Sequence, residues 1–153
     1  GHALVAVVEE AVFFHTVARN VQPDFELKGE HPLTEHYSAI GPEILEGEEG
    51  TILGKKTKKF INLVENYDLV AIAGQAQSHC VGWTVEDLLI QIQARDPKLA
   101  EKVYLLTDCT SPVVIPGVID FTDLAIEMFQ RFARAGMHLV RSTDPIRDWP
   151  GVA

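Results

Sequence analysis

The chain has 153 residues, of which 46% are hydrophobic and 23% charged, so it can bury the core of one domain and is not disordered throughout. Its 13 Lys and Arg residues against 22 Asp and Glu give a net charge of −9, which argues against a nucleic-acid-binding surface. It lacks an apolar run of the roughly 20 residues that span a bilayer, and its two cysteines do not make a disulfide framework. We expect an acidic, cytoplasmic protein with no nucleic-acid or membrane partner.

The first part of the chain is predicted to contain two helices joined by mostly polar connections. Apolar residues recur at helical spacing over residues 3–19, and a second helical pattern covers residues 56–66. The side chains expected on the inner side of the second helix are Phe60, Leu63 and Val64. Between the helices the sequence predicts a short strand at residues 25–28 and an acidic turn at residues 46–50.

Two histidines follow the predicted strand, at positions 31 and 36. With Glu35 between them, His31 and His36 resemble a zinc-protease signature, but their spacing is one residue too long and Pro32 opposes a helix. This segment is therefore predicted to be a solvated loop.

The second half of the chain alternates strands with helices. Continuous apolar runs at residues 68–73 and 103–107 are typical of parallel strands buried on both faces, and a third strand is expected at residues 137–140. Helices are predicted between them, over residues 81–94 and 121–135, the latter ended by Gly136. The expected inner side chains of the first of these helices are Trp83, Leu88, Leu89 and Ile92. This order predicts an α/β fold of three layers, a mostly parallel central sheet with helices on both faces.

Cys80 is the sharpest candidate for chemistry, because ligands of open parallel sheets bind beyond the carboxyl ends of the strands. It is predicted in the first turn of a helix with Ser78 as N-cap, where backbone N–H groups and the helix dipole favour a negatively charged sulfur. The same N–H groups could hold the oxygen of a tetrahedral intermediate. The alternative for Cys80 is a small apolar residue filling the strand–helix junction. Cys109 precedes a turn, so a packing role is preferred for it, and Asp108 is either a base or the cap of that turn.

Residues 74–81, GQAQSHCV, resemble the nucleophile segment of the isochorismatase-like cysteine hydrolases, of nicotinamidases in particular. In that family a buried strand ends in Gly and a Cys-Val pair opens a helix. Two further stretches agree in order: Lys28-Gly29 followed by Tyr37-Ser38-Ala39, and residues 108–111, DCTS. Residues 1–4 resemble those just after the family's metal-binding His segment. The family's usual Thr-Asp is Gln-Ser at residues 77–78, which indicates a divergent branch.

The resemblance implies a role for several residues of this chain. Cys80 would be the nucleophile and Lys28 the catalytic lysine beside it. The peptide bond between Gln75 and Ala76 would be cis, and the N–H groups of Ala76 and Cys80 would form the oxyanion hole. The candidates to line an aromatic substrate pocket are Tyr37 and Trp83.

The implied function is a cysteine-dependent amidohydrolase that cleaves a small, nicotinamide-like carboxamide through a thioester and releases ammonia, in a homo-oligomer. The family's general-base aspartate and the ligands of its divalent, zinc-like metal would precede Gly1. Residues 1–153 are therefore expected to form a single, N-terminally incomplete domain with no metal ligand of its own. The alternative from another class is a non-catalytic small-molecule-binding or assembly module on the same fold. An isochorismatase-type vinyl-ether hydrolase is a further alternative, but it would not need Cys80.

Overall fold

The computed structural model describes residues 4–152, which contain four α-helices and five strands. The helices are α1 (Ala6–Arg19), α2 (Lys59–Asn66), α3 (Gly82–Arg95) and α4 (Thr122–Arg134). The strands are β1 (Val70–Ile72), β2 (Val103–Leu106), β3 (Val114–Ile115), β4 (Ile119–Asp120) and β5 (His138–Val140). The predicted helix start at Ala3 and the resemblance over residues 1–3 lie outside the described residues.

The central sheet contains β1, β2 and β5 in that order, all parallel. Ala71 lies beside Tyr104, and Leu105 beside Leu139. Because α3 follows β1 and α4 precedes β5 along the chain, the predicted alternation of strands and helices is confirmed, and with it the parallel α/β class. The carboxyl ends of parallel strands meet at one edge of a sheet, which is where ligands bind in such folds.

A hydrophobic core covers one face of this sheet. Val103 and Leu105 of β2 point into it, together with side chains of α2, α3 and α4. Its fully enclosed members include Val64, Val85, Ile92 and Phe132. Successive residues of a strand point to opposite faces, so Tyr104 lies on the other face, where it stacks on Trp149 with ring centroids 5.4 Å apart. In residues 4–152 the helices packed against the sheet therefore share one face, and Trp149 with its C-terminal neighbours covers part of the other.

β1 is less buried than its sequence predicts. Val70 and Ile72 pack against the core, whereas Ala71 between them is exposed. Ala71 points to the same face as Tyr104, in a strand at the edge of the sheet, where the described chain supplies no cover for it. Burial on both faces is therefore wrong for residues 68–73, although it holds for the central strand β2.

α2 begins at Lys59 instead of residue 56. The Thr57 N–H donates to the Ile40 carbonyl at 2.7 Å and the Thr57 hydroxyl accepts from the Lys59 N–H at 3.1 Å, so the residues before Lys59 are held outside the helix. The side chains on the inner face are Phe60, Ile61 and Val64. The prediction for Leu63 is wrong, since this side chain is 38% exposed.

Two strand predictions outside the central sheet also need correction. Residues 25–28 form no strand, because no neighbouring strand pairs with them in the described part of the chain; Glu26 is held by an ion pair with Lys59 instead. The hairpin of β3 and β4, which the sequence did not predict, is exposed and turns at Pro116 and Gly117, where Gly117 has φ +72°.

α3 presents Trp83 to solvent, not to the core. Gly82 lies against α4, so that a Cβ added there would come within 2.7 Å of Met128 Cε. The residue after Gly82 is rotated away from this contact by the helical period, and Trp83 is 43% exposed. The predicted inner position of Trp83 is therefore wrong; Val85 is fully buried in this helix, and the expected Leu88, Leu89 and Ile92 are buried as well.

α4 ends as the sequence predicts. Gly136 has φ +107°, its N–H donates to the Ala133 carbonyl, and the Met137 N–H donates to the Phe132 carbonyl. This pair of bonds satisfies the last carbonyls of the helix and turns the chain into β5. Of the helices in residues 4–152, none is long and apolar enough to cross a membrane.

Candidate functional site

Cys80 lies between β1 and α3, in a single π-helical turn that spans Gln77–Val81 and runs directly into α3. Its side chain is half-buried. The predicted N-cap at Ser78 is wrong, because no side chain caps this turn. The Ser78 hydroxyl instead accepts the Val113 N–H at 3.0 Å and lies 2.8 Å from His79 Nδ1. Ser78 thus ties the segment that carries Cys80 to the chain that follows β2.

The peptide bond between Gln75 and Ala76 is cis. The Ala76 carbonyl accepts the N–H groups of His79 and Val81 at 3.0 and 3.1 Å. The N–H of Ala76 itself has no acceptor among residues 4–152. Ala76 therefore offers a free donor one residue before the turn that carries Cys80.

The ammonium of Lys28 lies against Cys80. Lys28 Nζ is 3.3 Å from Cys80 Sγ, and it donates to the carbonyls of His36 at 2.8 Å and Tyr37 at 3.1 Å. A protonated lysine has three N–H bonds, and each is directed to one of these acceptors. The cation is therefore fixed beside a sulfur 52 residues away in sequence. A lysine cation next to a thiol favours its anionic, nucleophilic form.

The loop that supplies Lys28 is fastened at a second point to the start of α3. The Ala39 N–H donates to Thr84 Oγ1 at 2.9 Å, and the Thr84 hydroxyl donates to the Cys80 carbonyl at 2.6 Å. Thr84 thus links the loop to the backbone of Cys80 itself. Thr84 was not predicted from the sequence, although its spacing of four from Cys80 along a helix is a usable signal.

His36 does not fit the predicted solvated loop. Its Nδ1 accepts the N–H of Gly29 at 2.9 Å, and its Nε2 is buried without a partner in the described residues. Burial, and then the nearby charge of Lys28, lower the pKa of His36 from its ordinary value. No pattern in the sequence signals the contact with Gly29, because it depends on how the loop between the two residues closes.

The two candidates for an aromatic pocket are not paired with each other. Tyr37 lies edge-on to His79 with ring centroids 6.0 Å apart, and His79 lies edge-on to Phe121 at 4.8 Å. Trp83 takes part in no aromatic pair among residues 4–152. Tyr37, His79 and Phe121 therefore form a row of rings, in which His79 is the residue directly before Cys80, and Trp83 faces outward.

Asp108 and Cys109 lie at the carboxyl end of β2. The Asp108 carboxylate accepts both the N–H and the hydroxyl of Ser142 at 2.8 Å, and these bonds hold the pKa of Asp108 below its ordinary value. Asp108 thereby joins the ends of β2 and β5. Cys109 is half-buried and, in the part of the chain that the structure describes, has no Lys or Arg hydrogen-bonded to its sulfur.

The described residues do not form a metal centre. Within residues 4–152, no three His, Cys, Asp or Glu side chains lie together in a way that could hold a metal ion. The divalent metal implied by the resemblance would need ligands from outside these residues, so no chemical step is assigned to it.

No protein-family model and no curated protein sequence matches the chain. Among solved structures, it is similar to a nicotinamidase/pyrazinamidase of Acinetobacter baumanii, with 22% sequence identity and a TM-score of 0.42. The similarity covers 71% of this chain and 42% of that one, so the chain spans less than half of that protein's length. Similarity at this level determines neither a family nor an activity.

Proposed function

We propose that the protein is a cysteine-dependent hydrolase of the isochorismatase-like, nicotinamidase type, acting on the carbon–nitrogen bond of a small carboxamide. The observation that carries this proposal is the 3.3 Å contact between Lys28 Nζ and Cys80 Sγ at the carboxyl edge of a parallel sheet. A partly accessible thiol beside a fixed cation is the environment of a reactive cysteine and differs from that of an inert, buried one.

Cys80 is the proposed nucleophile. Its sulfur forms a bond to the amide carbon while the carbonyl π electrons move onto oxygen. When the C=O bond re-forms, the C–N bond breaks, and the nitrogen leaves as ammonia after taking the proton that the thiol has lost. Water then adds to the thioester, the C–S bond breaks, the thiol regains a proton, and the carboxylic acid departs. The sum is amide plus water giving acid plus ammonia.

Lys28 and Ala76 supply the proposed electrostatic support. All three N–H bonds of Lys28 are directed to acceptors, so its ammonium acts as a fixed positive charge beside the sulfur. The free N–H of Ala76, with the N–H of Cys80 as its proposed partner, would stabilise the oxyanion of the tetrahedral intermediate. Tyr37 and Trp83 remain candidates for contacts with the substrate ring. The aspartate base that the resemblance implies would lie before Gly1.

The two cysteines of the chain provide a matched test of the nucleophile. In the complete protein, Cys80→Ala should lower ammonia release from nicotinamide by at least about a thousandfold, because it removes the atom that forms the thioester. Cys109→Ala is the control and should keep the rate within about twofold, since surface and turn substitutions away from the chemistry usually have small effects. Equal losses from both substitutions, or undiminished hydrolysis by the Cys80 variant, would contradict the assignment.

A further inference from the structure

His36 makes two separate contacts with the Lys28–Gly29 step. Its side chain accepts the Gly29 N–H on Nδ1 at 2.9 Å, and its backbone carbonyl accepts from Lys28 Nζ at 2.8 Å. Gly29 has φ +77°, a left-handed conformation that turns the chain immediately after the lysine. The backbone turn at Gly29 and the direction of the ammonium are thus both set by the same histidine.

The protonation state of His36 follows from this geometry. An imidazole nitrogen that accepts an N–H carries no hydrogen, so the ring is neutral and its proton is on Nε2. A proton added to Nδ1 would oppose the N–H of Gly29 and would bring a second positive charge near Lys28. The hydrogen bond to Gly29 therefore exists only in the neutral form of the ring.

We infer that neutral His36 is a positioning residue that holds the ammonium of Lys28 against the sulfur of Cys80, and that protonation of His36 releases this contact. The effect of this contact on catalysis rests on the proposed function, whereas the contact itself can be tested through the alkylation rate of the Cys80 thiol. Because His36 acts through Lys28 and touches no reacting atom, it lies outside the proposed catalytic groups.

The surroundings of His36 determine the pH at which its protonation would release the contact between Lys28 and Cys80. Burial and the charge of Lys28 lower the pKa of His36, so the neutral form persists below the ordinary value of 6.5. The carboxylates that oppose this shift are Glu43, Glu30 and Glu26. His36 lines a cavity of about 290 Å³, whose other titratable lining residues are Glu26, Glu30, His31 and Lys55. Of these lining residues, Glu30 and His31 belong to the loop that ends at His36. Glu26 precedes Lys28, and Lys55 lies in the segment before α2.

The test measures alkylation of Cys80 by iodoacetamide, in the complete protein with Cys109→Ala as background. His36→Ala removes the acceptor of the Gly29 N–H and should thereby release Lys28 from Cys80. It should slow alkylation about tenfold near neutral pH, the effect expected when the charged hydrogen bond from Lys28 to the sulfur is lost. His36→Asn should keep most of the rate, because its amide oxygen replaces Nδ1 as the acceptor of the Gly29 N–H. His31→Ala is the control from the same loop; its Nδ1 accepts from Leu33 and does not contact Lys28, so the rate should be unchanged.

The pH dependence separates positioning from a general loss of structure. Asparagine does not titrate, so the ratio of the parent rate to the His36→Asn rate should fall as the pH is lowered well below 6.5, while staying constant above it. A constant ratio at all pH values, or equally slow alkylation by the Asn and Ala variants, would overturn the inference. Should the parent protein alkylate in this His36-dependent way and hydrolyse no amide, the proposed function fails and the inference stands.

Discussion

At the residue scale, the defining feature is an ammonium group whose hydrogens all have acceptors. A lysine that directs its N–H bonds to two carbonyls and a sulfur has no free position from which to exchange a proton with substrate. Its contribution is a charge held at a fixed place. Arginine would not replace it, because a planar guanidinium cannot point toward acceptors in the same three directions.

The charge of Lys28 can be tested independently of any substrate. Lys28→Met should lower the rate of Cys80 alkylation at neutral pH by about tenfold, since the variant removes a charged hydrogen bond to the sulfur but keeps the length of the side chain. Lys58→Met is the control, because Lys58 is exposed and its ammonium has no hydrogen bond among the described residues. An unchanged rate in the Lys28 variant would show that the ammonium does not activate this thiol.

The hydrogen bonds of Asp108 predict how the stability of the protein depends on pH. Ser142→Ala removes one donor to the carboxylate, so the pKa of Asp108 should rise toward 3.8 in a carbon-detected NMR titration. A carboxyl with a depressed pKa stabilises the fold above its ordinary pKa, and this contribution is lost as the pH falls through the folded value. The parent protein should therefore lose more stability than the variant on acidification below about pH 4. Thr143→Ala, which leaves both donors to Asp108 in place, should leave the titration as it is.

At the element scale, the strands of the central sheet and the helices between them were predictable because their signals are strong and local. Continuous apolar runs predicted β1 and β2, helical periodicity predicted α3 and α4, and β5 was expected directly after the Gly136 that ends α4. The hairpin was missed although Pro116-Gly117 between two β-branched pairs is a turn signal. Residues 25–28 alternate like a strand, but alternation alone does not supply a neighbouring strand.

The candidate site was predictable only in part. The spacing of residues around Cys80 identified the nucleophile candidate, and the family resemblance identified Lys28, which no local pattern connects to a residue so distant in sequence. His36 and Thr84 could not be found in this way, because their roles depend on closure of a loop and on the path of α3. Trp83 was misplaced because helical periodicity does not reveal which face a neighbouring glycine brings against α4.

The contact between α3 and α4 gives a prediction at this scale. In Gly82→Ala the new Cβ would meet the Gln77 carbonyl oxygen at 2.6 Å and Met128 Cε at 2.7 Å, and the first of these is backbone that cannot rotate away. We expect a loss of about 1–3 kcal/mol in the free energy of unfolding, measured with urea, because overpacking outweighs the better helix propensity of alanine. Ile90→Ala on the exposed side of α3 should change stability by about 0.5 kcal/mol or less. A stabilised Gly82 variant would refute the close packing.

At the scale of the whole molecule, burial is unevenly distributed. None of the described residues before Ser38 is buried, including all of α1, whereas α3 and α4 contribute nearly half of the buried residues of the main core. Lys28 therefore comes from a part of the chain without buried residues, and hydrogen bonds and the ion pair of Glu26 with Lys59 hold it in place. The position of the charge depends on directed polar contacts, and the position of Cys80 depends on the core.

This distribution predicts a gradient of amide hydrogen exchange. Amides of α1 should exchange orders of magnitude faster than those of α3 and β2, since local opening costs little where few apolar contacts are broken. The measurement is hydrogen exchange by mass spectrometry on the complete protein near neutral pH. Equal protection of α1 and α3 would contradict the gradient and would mean that α1 is covered by something else in the complete protein.

Residues 30–35 form a loop whose two ends are hydrogen-bonded to each other, through the Gly29 N–H and the Lys28 ammonium on one side and His36 on the other. The other contacts that hold the ammonium near the sulfur, made by Tyr37 and Thr84, also lie outside residues 30–35. The length of this loop is therefore expected to be variable. Residues can be added or removed at its exposed tip, near Pro32 and Leu33, without moving the Lys28 ammonium or the Cys80 sulfur. The same tip is the natural place to graft a fluorescent label or an affinity peptide that reports on the site without disturbing it.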